Sequence, residues 1–450
     1  MNESVATLSP IARSALRKAS LRLVPLMALG YGCAYIDRVN IGFAALQMND
    51  ALHFSGAIYG FGAGLFFLSY AACEVPSNLL LYRFGARRWL ARIMFTWGLI
   101  AIAMLFVRTP WQFYTARFFL GVAEAGFFPG VLFYLMQWFP PELRARTIGR
   151  FYISLPLSAA FMGLIGGALL NLDGRLSLAG WQWLFLIEGI PPLLLSLAFL
   201  RLLPDTPAQA TWLTEPERNW ILTNVPQDCI ASHHEPEPIG RALLDLRVWQ
   251  IGIFELFMLF AAYGYVLILP QIVQVSTRLS NTSVGFITAA ISVLGAPAML
   301  FGAMHSDRSP AYRYRHIIPC CIVMALALAA CGLSTAPTVT IPALCIINVA
   351  YMAMQGPFWT LAPSLFRGRN SAAAIAAVNT IGILGGFLGP VYMGFAKDFT
   401  GNYQRGLLTL SLPMLFCAGI MLYLHRQAHR TAGQALPTDQ IAAALGSSNP

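Results

Sequence analysis

The segment YGCAYIDRVNIGFAAL, residues 31–46, decides the class of fold to which this chain belongs. It places a carboxylate beside a guanidinium, at Asp37 and Arg38, within an apolar run from about residue 21 to 47. A run of this length can cross a bilayer, which takes about 20 residues. Because a charge at bilayer depth costs roughly 2.5–3.5 kcal/mol on insertion scales, it is rarely present without a function. The segment predicts a membrane transport protein with Asp37 and Arg38 in its working site.

The composition agrees with a membrane protein. Of 450 residues, 57% are hydrophobic and 11% are charged, against about 25% charged residues in a soluble domain. The net charge of +10 does not indicate nucleic-acid binding, because the basic residues lie at the ends of apolar segments and not on one solvated face. They concentrate in alternate loops and in both tails, the pattern that places both termini in the cytoplasm. We expect a multi-pass protein of the cell (inner) membrane, with the lipid bilayer as a partner and no nucleic acid.

Cysteine and histidine do not indicate a redox or metal centre. The eight cysteines lie mostly inside apolar runs and form no C-x-x-C motif, as expected for small buried hydrophobic residues. His233 and His234 lie in a polar segment and are expected to be solvated. The basic N-terminus resembles a secretory signal, but no small-residue cleavage site follows a short apolar region, which indicates an uncleaved first span. We expect no metal and no cofactor, with protons as the coupling ion.

Eleven further apolar runs follow the first, giving an all-α polytopic protein with 12 transmembrane helices in two six-helix halves. They lie at about 56–81, 89–107, 112–138, 148–170, 181–203, 249–275, 282–304, 316–334, 338–362, 371–396 and 405–425. The predicted division is an N-terminal cytoplasmic tail (1–20), a first half (21–203), a cytoplasmic linker (204–248), a second half (249–425) and a C-terminal cytoplasmic tail (426–450).

The two halves repeat one another. Arg144-Ala145-Arg146 recurs as Arg367-Gly368-Arg369, each before a span rich in small residues, and Asp173 and Asp398 end the fifth and eleventh spans. Six plus six spans with internal repetition indicate a parallel duplication about an axis normal to the membrane. In such an architecture the substrate binds near the midplane, between the halves.

A second pair of charges lies in the fourth span. Arg117 and Glu124 are seven positions apart, or two helical turns, so both point to one face. With Asp37 and Arg38 they provide two carboxylates and two guanidiniums. Arginine suits a buried carboxylate ligand, because its planar fork binds both oxygens and it stays charged. In the second half, where intramembrane charges are few, the candidates are Asn348, Gln355, Trp359 and Asn379.

These charges suggest a coupling mechanism. An anion that engages Arg38 or Arg117 competes with Asp37 and Glu124 for positive charge, and the carboxylates then bind protons more readily. By linkage, protons also tighten anion binding. The hypothesis is symport of an anion with protons by alternating access.

Several longer motifs resemble one transporter family. They are YIDRVNIG (35–42), EVPSN (74–78), GARRW (85–89), RFFLGVAEAG (117–126) and GWQWLF (180–185). The layout resembles the major facilitator superfamily, and these motifs resemble its anion:cation symporter family. Bacterial members of that family carry tartrate, sugar acids, phthalate or hydroxyphenylacetate with protons.

The resemblance implies roles for individual residues. It implies proton coupling at Asp37 and Glu124, and substrate binding by Arg38, Arg117, Tyr35, Tyr70, Trp359 and Asn379. It also implies a small organic anion as substrate, and a single chain can carry the whole cycle as a monomer. The superfamily loop motif is imperfect, since Asn78 and Tyr82 stand where its first Gly and its Asp would be. Ile153-Ser154-Leu155-Pro156 stands where some sugar-acid members have a substrate-binding Gln, a departure that leaves open a less hydroxylated or differently shaped acid.

Other interpretations remain open. Asp37 and Arg38 could be a structural ion pair, although adjacent helical residues point about 100° apart. Arg117 and Glu124 could be purely structural members of a network. Glu74, Glu188 and Glu255 are expected to make structural hydrogen bonds near helix ends. The rival functions are export of a drug or metabolite on the same scaffold, a membrane-embedded enzyme and a sensor. The enzyme is disfavoured because no H-E-x-x-H, G-x-S-x-G or P-loop motif is present.

Overall fold

The computed structural model describes residues 9–225, 243–306, 310–366 and 371–434, and every regular element in these ranges is helical. Twelve stretches of helix within them are long and apolar enough to cross a membrane. The predicted all-α architecture with 12 spans is therefore confirmed. His233, His234 and the Arg367-Gly368-Arg369 repeat lie outside the described residues, as does the chain after residue 434.

The first six spans comprise eight helices. These are α1 (Pro10–Ala51), α2 (Gly56–Phe84), α3 (Ala86–Ala103), α4 (Pro110–Glu124), α5 (Phe127–Met136), α6 (Pro141–Tyr152), α7 (Ser154–Leu169) and α8 (Gly180–Leu202). Their ends follow local signals. Thr109 and Gln112 form a capping box at the start of α4, with Pro110 at the first helical position, so the chain turns sharply between the third and fourth spans.

The second six spans follow a short linker helix, α9 (Glu215–Asn224). They are formed by α10 (Leu246–Val266), α11 (Leu269–Thr277), α12 (Asn281–Val293), α13 (Gly295–Ser306), α14 (Pro310–Leu333), α15 (Pro337–Leu365), α16 (Ser371–Thr400) and α17 (Gln404–Gln434). Helix α16 packs against α10 of its own half and against α2 of the other half. Helix α12 of the second half packs against α7 of the first half. The pairs α2–α16 and α7–α12 therefore form much of the contact between the halves.

The first helix begins at Pro10, well before the span predicted from about residue 21. Its extra turns contact the linker helix: Lys18 lies 2.7 Å from Glu217 of α9, and Ser14 donates to the same carboxylate at 2.6 Å. Part of the segment predicted as an N-terminal tail is therefore helical and attached to the linker.

The fourth span is interrupted where the sequence predicts one continuous helix. Ala125 is non-helical and Gly126 is left-handed, with φ +83°. A Cβ at position 126 would overlap the side chain of Ser77 on α2, so both the backbone angle and the close approach require glycine. Non-helical backbone at bilayer depth is tolerated where protein or a cavity surrounds it. The interruption makes Glu124 the last residue of α4.

The two halves contact each other at one end of the bundle. The carboxylate of Asp398 accepts hydrogen bonds from the backbone N–H groups of Gly56 and Ala57, at 2.7 and 2.8 Å. Asn171 donates to the hydroxyl of Thr282 at 2.6 Å. This end carries the loop between α1 and α2, so it is opposite the N-terminus.

Candidate functional site

Arg38 and Glu124 form an ion pair between the first and fourth spans. Both Nε and Nη2 of Arg38 donate to Oε1 of Glu124, at 2.8 and 2.5 Å. The Glu124 side chain is fully buried, whereas 12% of the Arg38 side chain is exposed. Glu124 Oε2 is buried and accepts no hydrogen bond from a described residue. The guanidinium thus holds the carboxylate through one oxygen while remaining accessible itself.

Arg117 lies deeper in the same half. It is 1% exposed, and its one hydrogen bond to a described residue runs from Nη2 to the Ala63 carbonyl at 3.4 Å. Its guanidinium carbon lies 5.0 Å from the centre of the Phe66 ring, and that of Arg38 lies 5.6 Å from the same ring. Both distances allow cation–π attraction. The Phe66 ring therefore lies beside both Arg38 and Arg117.

Asp37 is 3% exposed and does not pair with its neighbour Arg38. Its one hydrogen bond comes from Asn40 Nδ2 at 3.5 Å, which is long, and Oδ2 accepts none from a described residue. The Asn40 amide also lies beside the carboxyl of Glu188 on α8. Asp37 lies within electrostatic range of Arg117, Arg38 and Glu124, so the four charges predicted from the sequence lie together.

A cavity of about 120 Å³ lies between the two halves. Of the predicted substrate-binding residues, Arg38, Tyr70, Trp359 and Asn379 line it. Tyr35 and Arg117 are absent from its lining, as are Asp37 and Glu124, and all four are buried. The guanidinium of Arg38 lies 5.0 Å from the Tyr70 ring. Arg38 is thus the member of the charge cluster that faces the cavity, and the assigned roles stay predictions.

Two acidic residues that the sequence assigned to structural roles also line the cavity. Glu74 accepts a hydrogen bond from Asn379 Nδ2 at 3.4 Å, which joins α2 to α16 across the halves. Glu255 is 1% exposed and lies in the middle of α10, not near a helix end. A charge within an apolar run was the signal that identified Asp37, and it applies equally to Glu255. Among the residues described, no three His, Cys, Asp or Glu side chains are grouped as a metal site.

This fold and this charged cavity between two six-span halves define a membrane transporter. The Major Facilitator Superfamily model matches residues 27–390, and the chain belongs to that family. Family membership identifies the chain as a transporter and not an enzyme.

Relatives differ in the substrates that their names state. The chain is 41% identical over 423 residues to a protein of Agrobacterium vitis named "Putative tartrate transporter", covering 94% of this chain and 97% of that one. It is 38% identical over 406 residues to a quinolone resistance transporter of Acinetobacter baumannii, covering 90% and 93%. Among solved structures, a bacterial homologue of the human lysosomal transporter Spinster superposes with a TM-score of 0.71 at 17% identity, covering 93% and 98%. This likeness establishes the shared fold.

Proposed function

We propose that this chain is a proton-coupled symporter that imports a small organic carboxylate across the bacterial inner membrane. The Arg38–Glu124 pair carries the proposal, because Arg38 faces the cavity while Glu124 is buried behind it. A substrate carboxylate has direct access to the guanidinium and competes with Glu124 for its hydrogen bonds.

The competition couples the anion to a proton. When Arg38 turns its fork toward the substrate, Glu124 loses its counter-ion in a buried site, and an isolated buried carboxylate is costly. Taking up a proton removes that cost. The coupling is reciprocal, so protons also strengthen anion binding. Asp37, which lies within electrostatic range of Arg117 and Glu124, provides a second proton position in this proposal.

Translocation requires the cavity to open to each side in turn. With both termini in the cytoplasm, the contacts of Asp398 with α2 and of Asn171 with Thr282 close the periplasmic end. The structure then corresponds to a state whose cavity is closed toward the periplasm. One chain contains both halves and the whole cavity, so we propose that the monomer is the working unit.

The rival function is export of a drug, which the similarity to the quinolone resistance transporter favours. The cavity volume argues for the small acid: drug-sized ligands occupy sites of roughly 300–1,000 Å³, and this cavity has about 120 Å³. The guanidinium at its wall also favours an anion.

Uptake into proteoliposomes tests the proposal. Tartrate, galactonate, phthalate and 4-hydroxyphenylacetate are supplied with and without an inward proton gradient, and a quinolone is tested in parallel. Accumulation of at least one acid, driven by the gradient, is expected. Movement of the quinolone with no movement of any acid would overturn symport in favour of export.

A further inference from the structure

The carboxyl group of Glu255 is an unsatisfied polar group at the centre of the second half. Glu255 is 1% exposed, yet it lines the cavity. It makes no hydrogen bond with another described residue, and its Oε2 is fully buried. A buried polar group that lacks a hydrogen-bond partner destabilises the folded state. Oε1 is not among the fully buried atoms, and because the residue lines the cavity, a ligand can supply a hydrogen-bond partner to this oxygen.

The packing around Glu255 makes room for this side chain. A Cβ at position 382 of α16 would overlap Cγ of Glu255. Glycine at 382 therefore lets the acidic side chain lie against the α16 backbone while α10 and α16 stay closely packed. The absence of a side chain at Gly382 thus leaves a space that the Glu255 side chain fills.

The cavity wall carries one guanidinium and two carboxyl groups, of which that of Glu74 already accepts a hydrogen bond from Asn379. Arg38 supplies a cation from the first half, and Glu255 supplies a carboxyl from the second. Gln355 of α15 also lines the cavity, and its side-chain amide makes no hydrogen bond with a described residue. A ligand that satisfies all three needs a carboxylate for Arg38, a hydrogen-bond donor for Glu255 and an acceptor for the amide N–H of Gln355.

We infer that Glu255 and Gln355 recognise hydroxyl groups of the substrate, and that the carried acids are hydroxy acids. A hydroxyl both donates and accepts, whereas an ammonium group only donates. A hydrocarbon acid would fill the cavity and leave Glu255 unpartnered. The inference rests on the proposed transport of organic carboxylates and specifies which class of them binds.

A series of four-carbon diacids tests this inference with the intact protein. Tartrate, malate and succinate carry two, one and no hydroxyl groups, and aspartate carries an ammonium in place of malate's hydroxyl. In detergent at one pH, the affinity is expected to fall stepwise, with tartrate at least about tenfold tighter than succinate and malate tighter than aspartate. Equal affinities for tartrate and succinate, or aspartate binding as tightly as malate, would overturn the inference. Organic-acid transport would still stand, since it fails only if no carboxylate moves.

The Glu255→Met variant tests whether the preference for hydroxylated acids depends on this side chain. Methionine fills similar space without a hydrogen-bonding carboxyl. The affinity for tartrate should therefore fall at least about tenfold, while the affinity for succinate stays nearly unchanged. Unchanged succinate binding also shows that the variant is folded. Glu188→Met is the matched control, because Glu188 is a buried carboxyl within a span that does not line the cavity. If the ratio of tartrate affinity to succinate affinity is unchanged in Glu255→Met, or falls equally in the control, the proposed role of Glu255 is contradicted.

Discussion

Arg38 directs two N–H groups to a single oxygen of Glu124, from Nε at 2.8 Å and from Nη2 at 2.5 Å. The other carboxylate oxygen has no hydrogen-bond partner among the described residues. A bidentate pair would occupy both oxygens. This one-sided arrangement leaves the guanidinium able to exchange one carboxylate for another, as the proposed coupling requires.

Arg38→Lys is expected to weaken substrate binding at least about tenfold, because an ammonium is a compact point charge without the planar fork. The dissociation constant of the transported acid, measured in detergent, checks this expectation. Arg108→Lys is the control, since Arg108 is exposed at the end of the third span. An unchanged dissociation constant in Arg38→Lys would mean that Arg38 does not bind the substrate.

The sequence predicted the architecture well because a membrane span can be recognised directly from the length of its apolar run. It also identified the four charges of the first half, since their cost in hydrocarbon is independent of the fold. It did not reveal that Glu124 ends a helix, because the break at Ala125 and Gly126 depends on the close approach of Ser77. Which charges face the cavity depends on how the helices rotate and pack, and this is a tertiary property.

Gly167 on α7 allows the close contact between the halves at the end of the bundle opposite the N-terminus. A Cβ there would overlap the carbonyl oxygen of Asn281 at the start of α12. Gly167→Val is therefore expected to reduce uptake more than about tenfold by preventing closure, while substrate binding in detergent changes less than about threefold. In Gly419→Val, whose site has nothing within 4 Å of the added Cβ, uptake should stay at the wild-type rate. Normal uptake by Gly167→Val would show that this contact is not required for transport.

Glu217 gives the linker a pH-dependent attachment to α1. Burial alone would raise its pKa, but hydrogen bonds from Lys18, Ser14 and Thr214 outweigh burial and lower the pKa from 4.5 to about 2. Because the folded-state pKa is depressed, the stabilisation is complete above about pH 4.5 and is lost as the pH falls toward about 2.

Glu217→Gln should therefore lower the free energy of unfolding by about 1 kcal/mol at pH 7, and the difference from wild type should shrink below about pH 4.5. Thermal unfolding from pH 7 to pH 3 measures this change. Glu215→Gln, at an exposed position in the same first turn of α9, is the control and should change stability little. A destabilisation by Glu217→Gln that is equal at all pH values would contradict an ionic contribution.

The measurement that tests the coupling most directly is proton uptake when the acid binds to the purified protein. In weakly buffered detergent solution, a pH dye records protons taken up while the bound anion is measured separately. If the anion displaces Glu124 from Arg38, wild type should take up protons on binding. Glu124→Gln should bind the anion but take up about one proton fewer per anion. No uptake by wild type, or the same uptake by Glu124→Gln, would contradict the proposed exchange at Arg38.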